Sequence, residues 1–185
     1  MGKLIYVTNV SLDGYIEDES GTFAWLPVDD EVFAFTTGIV RTVDTFLYGR
    51  RLYEKMAVWE TDPALAARSE LMAGFAKAWQ AASKVVYSTT LAAVSTADTR
   101  IERHFDPAAV KNLKSTTAGD LMIGGADLAA QAFRAGLVEE CRLFVLPLIV
   151  GGGKPGLPAG VRTGLHLLDE RRFPNGAVHL RYAVA

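Results

Sequence analysis

The sequence predicts a three-layer α/β/α domain, with a mainly parallel central sheet that gains antiparallel strands at its C-terminal end. Two observations carry this. Up to residue 136, short β-branched and apolar runs alternate with stretches of helical spacing, as parallel strands joined by crossover helices require. Beyond residue 136 three strand-like runs follow with no long helix among them, which suits antiparallel pairing. At 185 residues, with no internal repeat and no linker, the chain reads as one domain over 1–185.

The elements follow in order. The run "KLIYVTNV" is the first strand, and "SLDGYIEDESG" is a loop turning at Asp13-Gly14. A helix begins near "DDEVFAFTTGIVRT", with Asp29 or Asp30 as its cap. "TFLYG" is a buried strand and "RRLYEKM" a helical turn or two. Leu65, Leu71, Met72, Phe75 and Trp79 share helical spacing and predict a helix over 63–82. "KVVYS", "TRIERHF", a helix near 106–113 and "DLMIG" come next. An Ala-rich helix then runs to Gly136. The closing strands are "CRLFVLPLIV", "LHLLDERRF" and "AVHLRYAVA", the last two joined by a turn at Pro174-Asn175-Gly176.

Composition removes several classes of function. Half the residues are apolar and the net charge is −2, which argues against disorder and against a duplex nucleic-acid partner. One cysteine, Cys141, excludes an internal disulfide and reads as a buried apolar thiol. His104, His166 and His179 are too scattered for a metal site, and no metal is expected. No targeting segment or membrane span is recognisable, so the expected setting is cytoplasmic.

Ligands of open α/β sheets bind beyond the carboxyl ends of the strands. Three such ends carry chemistry here. In "IGGAD" a glycine pair precedes a helix, which either presents amides to a phosphate or serves as a tight turn for helix–sheet packing. In "GRR", Arg50 and Arg51 are able to grip phosphate, or are solvated surface arginines. In "YSTT", Ser88, Thr89 and Thr90 offer hydroxyls to a phosphate or ribose, or form a plain turn. Together the three fit a dinucleotide with an extra phosphate. "GGGKPG" at 151–156 satisfies G-x-G-x-x-G, but Pro155 and Pro158 block the helix that a diphosphate needs. It reads as a mobile glycine loop.

At these residues the chain resembles the dihydrofolate reductase superfamily, especially bacterial reductases related to the C-terminal domain of the riboflavin-biosynthesis enzyme RibD. The resemblance covers almost the whole chain through "SLDGYI", "LYGRRLYEKM" with Trp59, "KVVYSTTL", "LMIGGADLAAQAF" and "LPLIVGGGKP". It implies a dihydrofolate reductase-like fold, NADPH as hydride donor and commonly a homodimer. By position it implies that Gly49, Arg50 and Arg51 hold cofactor phosphates and that Ser88 and Thr89 receive the adenosine 2′-phosphate. It assigns Gly124, Gly125, Ala126 and Asp127 to the diphosphate turn, often with a cis Gly–Gly bond, and Asn9 and Ile16 to the nicotinamide.

Three departures accompany the match. Leu52 stands where a phosphate-binding Thr is usual. Trp25-Leu26-Pro27-Val28-Asp29 is one residue shorter than the folate enzymes' segment leading to their pterin-binding carboxylate. Asp62-Pro63-Ala64-Leu65 is reminiscent of an Asp-Pro-x-Leu element of the riboflavin reductases, at a different spacing and without the Arg that should close it.

The implied activity is an NADPH-dependent reductase of a small pterin- or pyrimidine-like heterocycle. Asp29 and Asp13 are the candidate proton handlers, each with an alternative role, as helix cap and turn residue respectively. Trp25, Phe33 and Tyr53 are candidates for an apolar acceptor pocket or for the core. The competing expectation is a non-catalytic, NADPH-binding homodimer of the same fold.

Overall fold

A computed structural model describes residues 2–23 and 29–185. Apolar β-branched runs form the central strands: β1 (Leu4–Ser11), β3 (Val43–Gly49), β4 (Ser83–Tyr87), β5 (Thr99–Glu102), β6 (Asp120–Gly124) and β7 (Glu140–Leu146). All six are parallel, in the order β5-β4-β3-β6-β1-β7. The sheet is completed by the antiparallel strands β10 (Val178–Val184) and then β9 (Leu165–Arg172) at the edge. This is the expected mainly parallel sheet with antiparallel C-terminal strands.

Two further short strands, β2 (Tyr15–Glu17) and β8 (Lys154–Pro155), pair with each other. Both stretches were expected to be loops. The glycine segment is held from several sides and is not free. Asp13 accepts from the amides of Val150 (3.1 Å) and Gly151 (2.8 Å), Gly156 N–H donates to Gly14 O, and the buried Tyr6 hydroxyl donates to Gly156 O.

Helices start where side chains satisfy their first amides. Asp29 caps α1 (Asp30–Val40), and Asp106 caps α6 (Pro107–Thr116) with proline in the first turn. After α2 (Arg50–Met56) and α3 (Val58–Thr61), the predicted 63–82 helix is two helices. Asp62 caps α4 (Pro63–Ala66), and Ser69 Oγ accepts from Met72 N to start α5 (Glu70–Ala81). Apolar spacing continued across the gap, so periodicity alone concealed a second cap.

The layers follow from strand alternation. Ile5, Phe46, Tyr48, Val86, Met122 and Phe144 point to the side covered by α1 and α5, where Trp79 Nε1 donates to Tyr48 Oη at 3.1 Å. Leu4, Tyr6, Leu47, Val85, Leu121 and Ile123 point to the other side, under α6 and α7 (Ala126–Arg134). Cys141 is fully buried there and its thiol is pushed up to about 12 by burial.

Two buried polar groups sit beyond β1. Glu140 accepts from Lys3, Arg142 and Arg181, and these cations hold its carboxyl far below the usual range. His179 is the opposite case. It packs on Phe35 and Phe144 (ring centroids 4.8 Å each), and neither ring nitrogen has a hydrogen-bond partner. Burial, aided by the Arg142 charge, lowers its pKa to about 4.

A group whose folded pKa lies below its unfolded value costs stability as the pH falls, because only the unfolded chain takes up the proton. His179 therefore makes the fold less stable between about pH 6.5 and pH 4, at up to about 1.4 kcal/mol per unit. Urea unfolding from pH 7 to pH 5, above most carboxylate titration, should show this slope in the wild type and a flatter one in His179→Leu. Equal slopes would refute the assignment.

Candidate functional site

The carboxyl ends of β4, β3 and β6 lie side by side because their parallel registers are level, and β1 runs on beyond them to Ser11. Gly49 pairs with Tyr87, and Tyr48 pairs with Gly124. Three cavities open along this edge.

The first, about 510 Å³, lies over β4 and β3 and includes Gly49, Arg50, Ser88, Thr89, Thr90 and Asp127 in its wall. Arg50 Nη1 donates to Thr90 Oγ1 at 3.0 Å, and its Nε donates to Glu54 at 2.7 Å. Ser88 is buried, and its Oγ accepts from the amides of Thr90 and Leu91. Two cationic or polar residues that the sequence analysis did not single out join this wall, Arg103 and His104. Arg103 Nη1 donates to the carbonyls of Ser88 and Leu91, fastening the "STT" turn.

The second cavity, about 390 Å³, lies over β6 and β1. Asn9, Ile16, Arg51, Gly125 and Ala126 line it, together with Lys154. Arg51 is exposed, 3.6 Å from Glu17, which also holds Lys55 at 3.2 Å. Lys154 reaches from β8 to Asp127 on the first turn of α7, at 2.6 Å. The segment set aside as a mobile glycine loop thus contributes a cation to the site. The pairing of β2 with β8 delivers it, and no local motif announces that pairing.

The doubled glycine has two separate physical reasons. A Cβ at Gly124 would meet Leu52 Cδ2 at 2.5 Å and the Tyr48 ring at 3.2 Å, so this position serves close packing. Gly125 has φ +92°, a conformation few side chains tolerate, with open space where a Cβ would point. The Gly124–Gly125 bond is trans, unlike the cis bond common in the resembling family. Gly125 is the N-cap of α7 and supplies no side-chain acceptor, so the first amides of this nine-residue helix remain available to an anion.

The third cavity, about 610 Å³, extends under α1 and α5 and shares Val7, Thr8, Asn9, Leu52 and Met56 with the second. Phe33, Trp59 and Phe75 form an aromatic cluster in its wall, with centroids 4.6–5.9 Å apart. Asp29 faces it while capping α1; both capping bonds end on Oδ1, and among the described residues Oδ2 has no partner. Arg68 is also in the wall. It stands three residues past Leu65 and was not singled out in the sequence.

Two expected site residues lie elsewhere. Tyr53 is in none of these cavities. It is buried, and its hydroxyl accepts from Ser95 N at 2.8 Å and bonds the Ser95 and Thr96 hydroxyls. Helical phase turns position 53 inward, away from the neighbouring Leu52. Asp13 also lines none of the three. Ser11 and the amides of Gly151 and Val150 hold it at a pKa of about 2, so it is a brace for the glycine segment and a poor proton donor. Trp25 lies outside the described residues. No group of residues able to hold a metal ion occurs among those described.

A row of strand tips, a glycine-capped helix and a cation-lined cleft leading to an aromatic cavity define an open-sheet α/β domain with its candidate site beyond the strand ends. Comparison with known proteins identifies its kin: residues 2–178 match the RibD C-terminal domain, and the chain belongs to that family. It is 30% identical over 190 residues to the uncharacterized protein YyaP of Bacillus subtilis strain 168, covering 97% of this chain and 94% of that protein. Among solved structures, a putative riboflavin biosynthesis protein from Shewanella sp. PV-4 has a TM-score of 0.78 at 18% identity, covering 99% of both chains. A pyrimidine reductase-like protein from Corynebacterium diphtheriae has a TM-score of 0.66 at 14% identity, covering 100% of this chain and 92% of its own. The fold is therefore dihydrofolate reductase-like.

Replacing Gly125 with Ala tests the turn. With φ at +92° the variant should lose about 1–3 kcal/mol in urea unfolding. An unchanged midpoint would show that the backbone relaxes freely.

Proposed function

We propose that the chain is an NADPH-dependent reductase that passes hydride to a small pterin- or pyrimidine-like heterocycle. The observation that carries this reading is one cleft divided by charge. Arg50, Arg103, Arg51, Lys55 and Lys154 line its first two cavities, and the third is aromatic. A dinucleotide with an extra phosphate matches the first part, and a flat acceptor matches the second. The family, and the pyrimidine reductase-like name of one structural neighbour, support the same class.

In this reading Arg50, Ser88, Thr89 and Arg103 hold the 2′-phosphate. The amides at Gly125, Ala126 and Asp127 and the Lys154 ammonium receive the diphosphate, and Asn9 and Ile16 flank the nicotinamide. When bound, the reduced nicotinamide supplies two electrons as hydride to the electrophilic carbon of a C=N bond. The nitrogen gains a proton relayed through Asp29 Oδ2, the oxygen that makes no capping bond. Phe33 and Trp59 orient the ring and keep water from it. The non-catalytic alternative draws on Leu52, whose apolar side chain replaces a phosphate ligand.

Calorimetric titration and cofactor oxidation separate these readings. NADPH should bind and raise the melting temperature, and at least one acceptor among pterins, pyrimidines and quinones should oxidise it. Arg50→Ala should weaken NADPH about tenfold or more, since a charge-assisted contact contributes about 1.5–3 kcal/mol. Arg51→Ala should do less, its side chain being 69% exposed. Asp29→Asn should abolish turnover. Stabilisation without oxidation would favour the binder, and equal affinity in Arg50→Ala would overturn the phosphate assignment.

The working unit is proposed to be a homodimer. All eight residues of β9 are exposed at an open sheet edge, including Leu165, Leu167 and Leu168, a surface that single chains rarely leave bare. Light scattering should give twice 20.0 kDa, with Leu167→Lys shifting the mass toward one chain.

A further inference from the structure

The acceptor cavity differs from the rest of the cleft in its charges. Among the described residues its wall holds one cation, Arg68, and one carboxylate, Asp29. Residues 24–28 add none, since the sequence there is Ala-Trp-Leu-Pro-Val. Arg68 is exposed, and its guanidinium makes no hydrogen bond or ion pair among the described residues. The wall is otherwise dominated by aromatic and aliphatic side chains, with Met56 and Met72 among them.

A phosphate dianion is poorly matched to this space. Removing it from water against aromatic walls is costly unless several donors replace its hydration. The same chain provides such donors generously around the first two cavities. One exposed guanidinium sharing the third cavity's wall with a carboxylate does not.

A flat, uncharged conjugated ring is well matched. The cluster of Phe33, Trp59 and Phe75 offers ring faces and edges, while the two methionines adapt to varied outlines. Asp29 Oδ2 and Asn9 are placed to accept or donate one or two hydrogen bonds at the ring edge.

From this we infer that the acceptor is a conjugated ring lacking a phosphate group, so that the chain does not reduce a phosphoribosylated pyrimidine. The inference rests on the assignment of the third cavity as the acceptor site, and it narrows the substrate of the proposed reductase.

The test uses two ligands that differ by the phosphate alone, riboflavin and flavin mononucleotide. Each is titrated calorimetrically into the full chain saturated with NADP+. Lumazine and menadione serve as smaller phosphate-free rings. Riboflavin, or a smaller ring, should bind at least about tenfold more tightly than flavin mononucleotide. Trp59→Leu should weaken that binding and leave NADP+ affinity unchanged, which locates the ring in this cavity. Equal or tighter binding of flavin mononucleotide, lost in Arg68→Ala, overturns the inference. So does the absence of heat with all three phosphate-free rings. A chain that fails to bind NADP+ but still prefers the phosphate-free rings, with the Trp59 effect, refutes the cofactor reading and keeps this one.

Discussion

The contact of Tyr48, Leu52 and Gly124 is the constraint on which the site depends. Tyr48 lies directly across from Gly124 in the parallel pairing of β3 with β6, and Leu52 closes over the same glycine from the next helix. A side chain at 124 has no room there. Because it is absent, β3 and β6 end level and α2 starts close over the end of β6. The cation-bearing turn of β3 and the glycine turn of β6 therefore flank one cleft. Leu52 then becomes the wall between the second and third cavities, since it lines both. Its replacement of a polar residue reads as packing: an apolar side chain is what fits over Gly124.

The cleft also shows how a protein of modest net charge, −2, builds a strongly polarised site. Its cations are carried by α2, by the turn that follows β5 and by β8, and are partly neutralised by acids that hold them in place. Glu54 steadies Arg50, Glu17 steadies Lys55, and Asp127 steadies Lys154. Exposed pairs of this kind add little stability. Their physical effect is to place long cationic side chains at the rim of the cleft, where an incoming anion is able to compete for them.

Much of this was legible in the sequence because it depends on local signals. Alternation of strands with helical spacing specified the layers, and Asp29 was among the two acids announcing the first helix as its cap. The tips of β3, β4 and β6 were visible as glycine, arginine and hydroxyl residues after apolar runs. What was not legible depends on distant partners. The three-residue strand β2 exists only through β8, where Tyr15 pairs with Pro155 and Glu17 with Lys154, so neither piece carries a strand signal alone. Tyr53 and Leu52 are adjacent in sequence, and only the phase of α2 sends one to the core and the other to the cleft. Arg68 escaped notice because its place in the wall comes from the break between α4 and α5, a break hidden under continuous apolar spacing.

Asp13 illustrates a further step from residue type to role. A carboxylate in a glycine turn beside a cleft invites assignment as an acid, yet its oxygens accept the amides of Val150 and Gly151. Those bonds fix where the glycine segment leaves β7. The pairing of β8 with β2 and the bond from Tyr6 to Gly156 fix where it returns. Between these anchors the segment has one geometry in which Lys154 reaches α7. Asp13 acts through the cation it helps to aim, and its low pKa keeps that brace charged across the neutral range. The glycine-rich sequence, which lacks the helix of a dinucleotide motif, is thereby understandable as a strap: flexible residues allow the sharp turns, and the fixed ends remove the freedom that glycine brings.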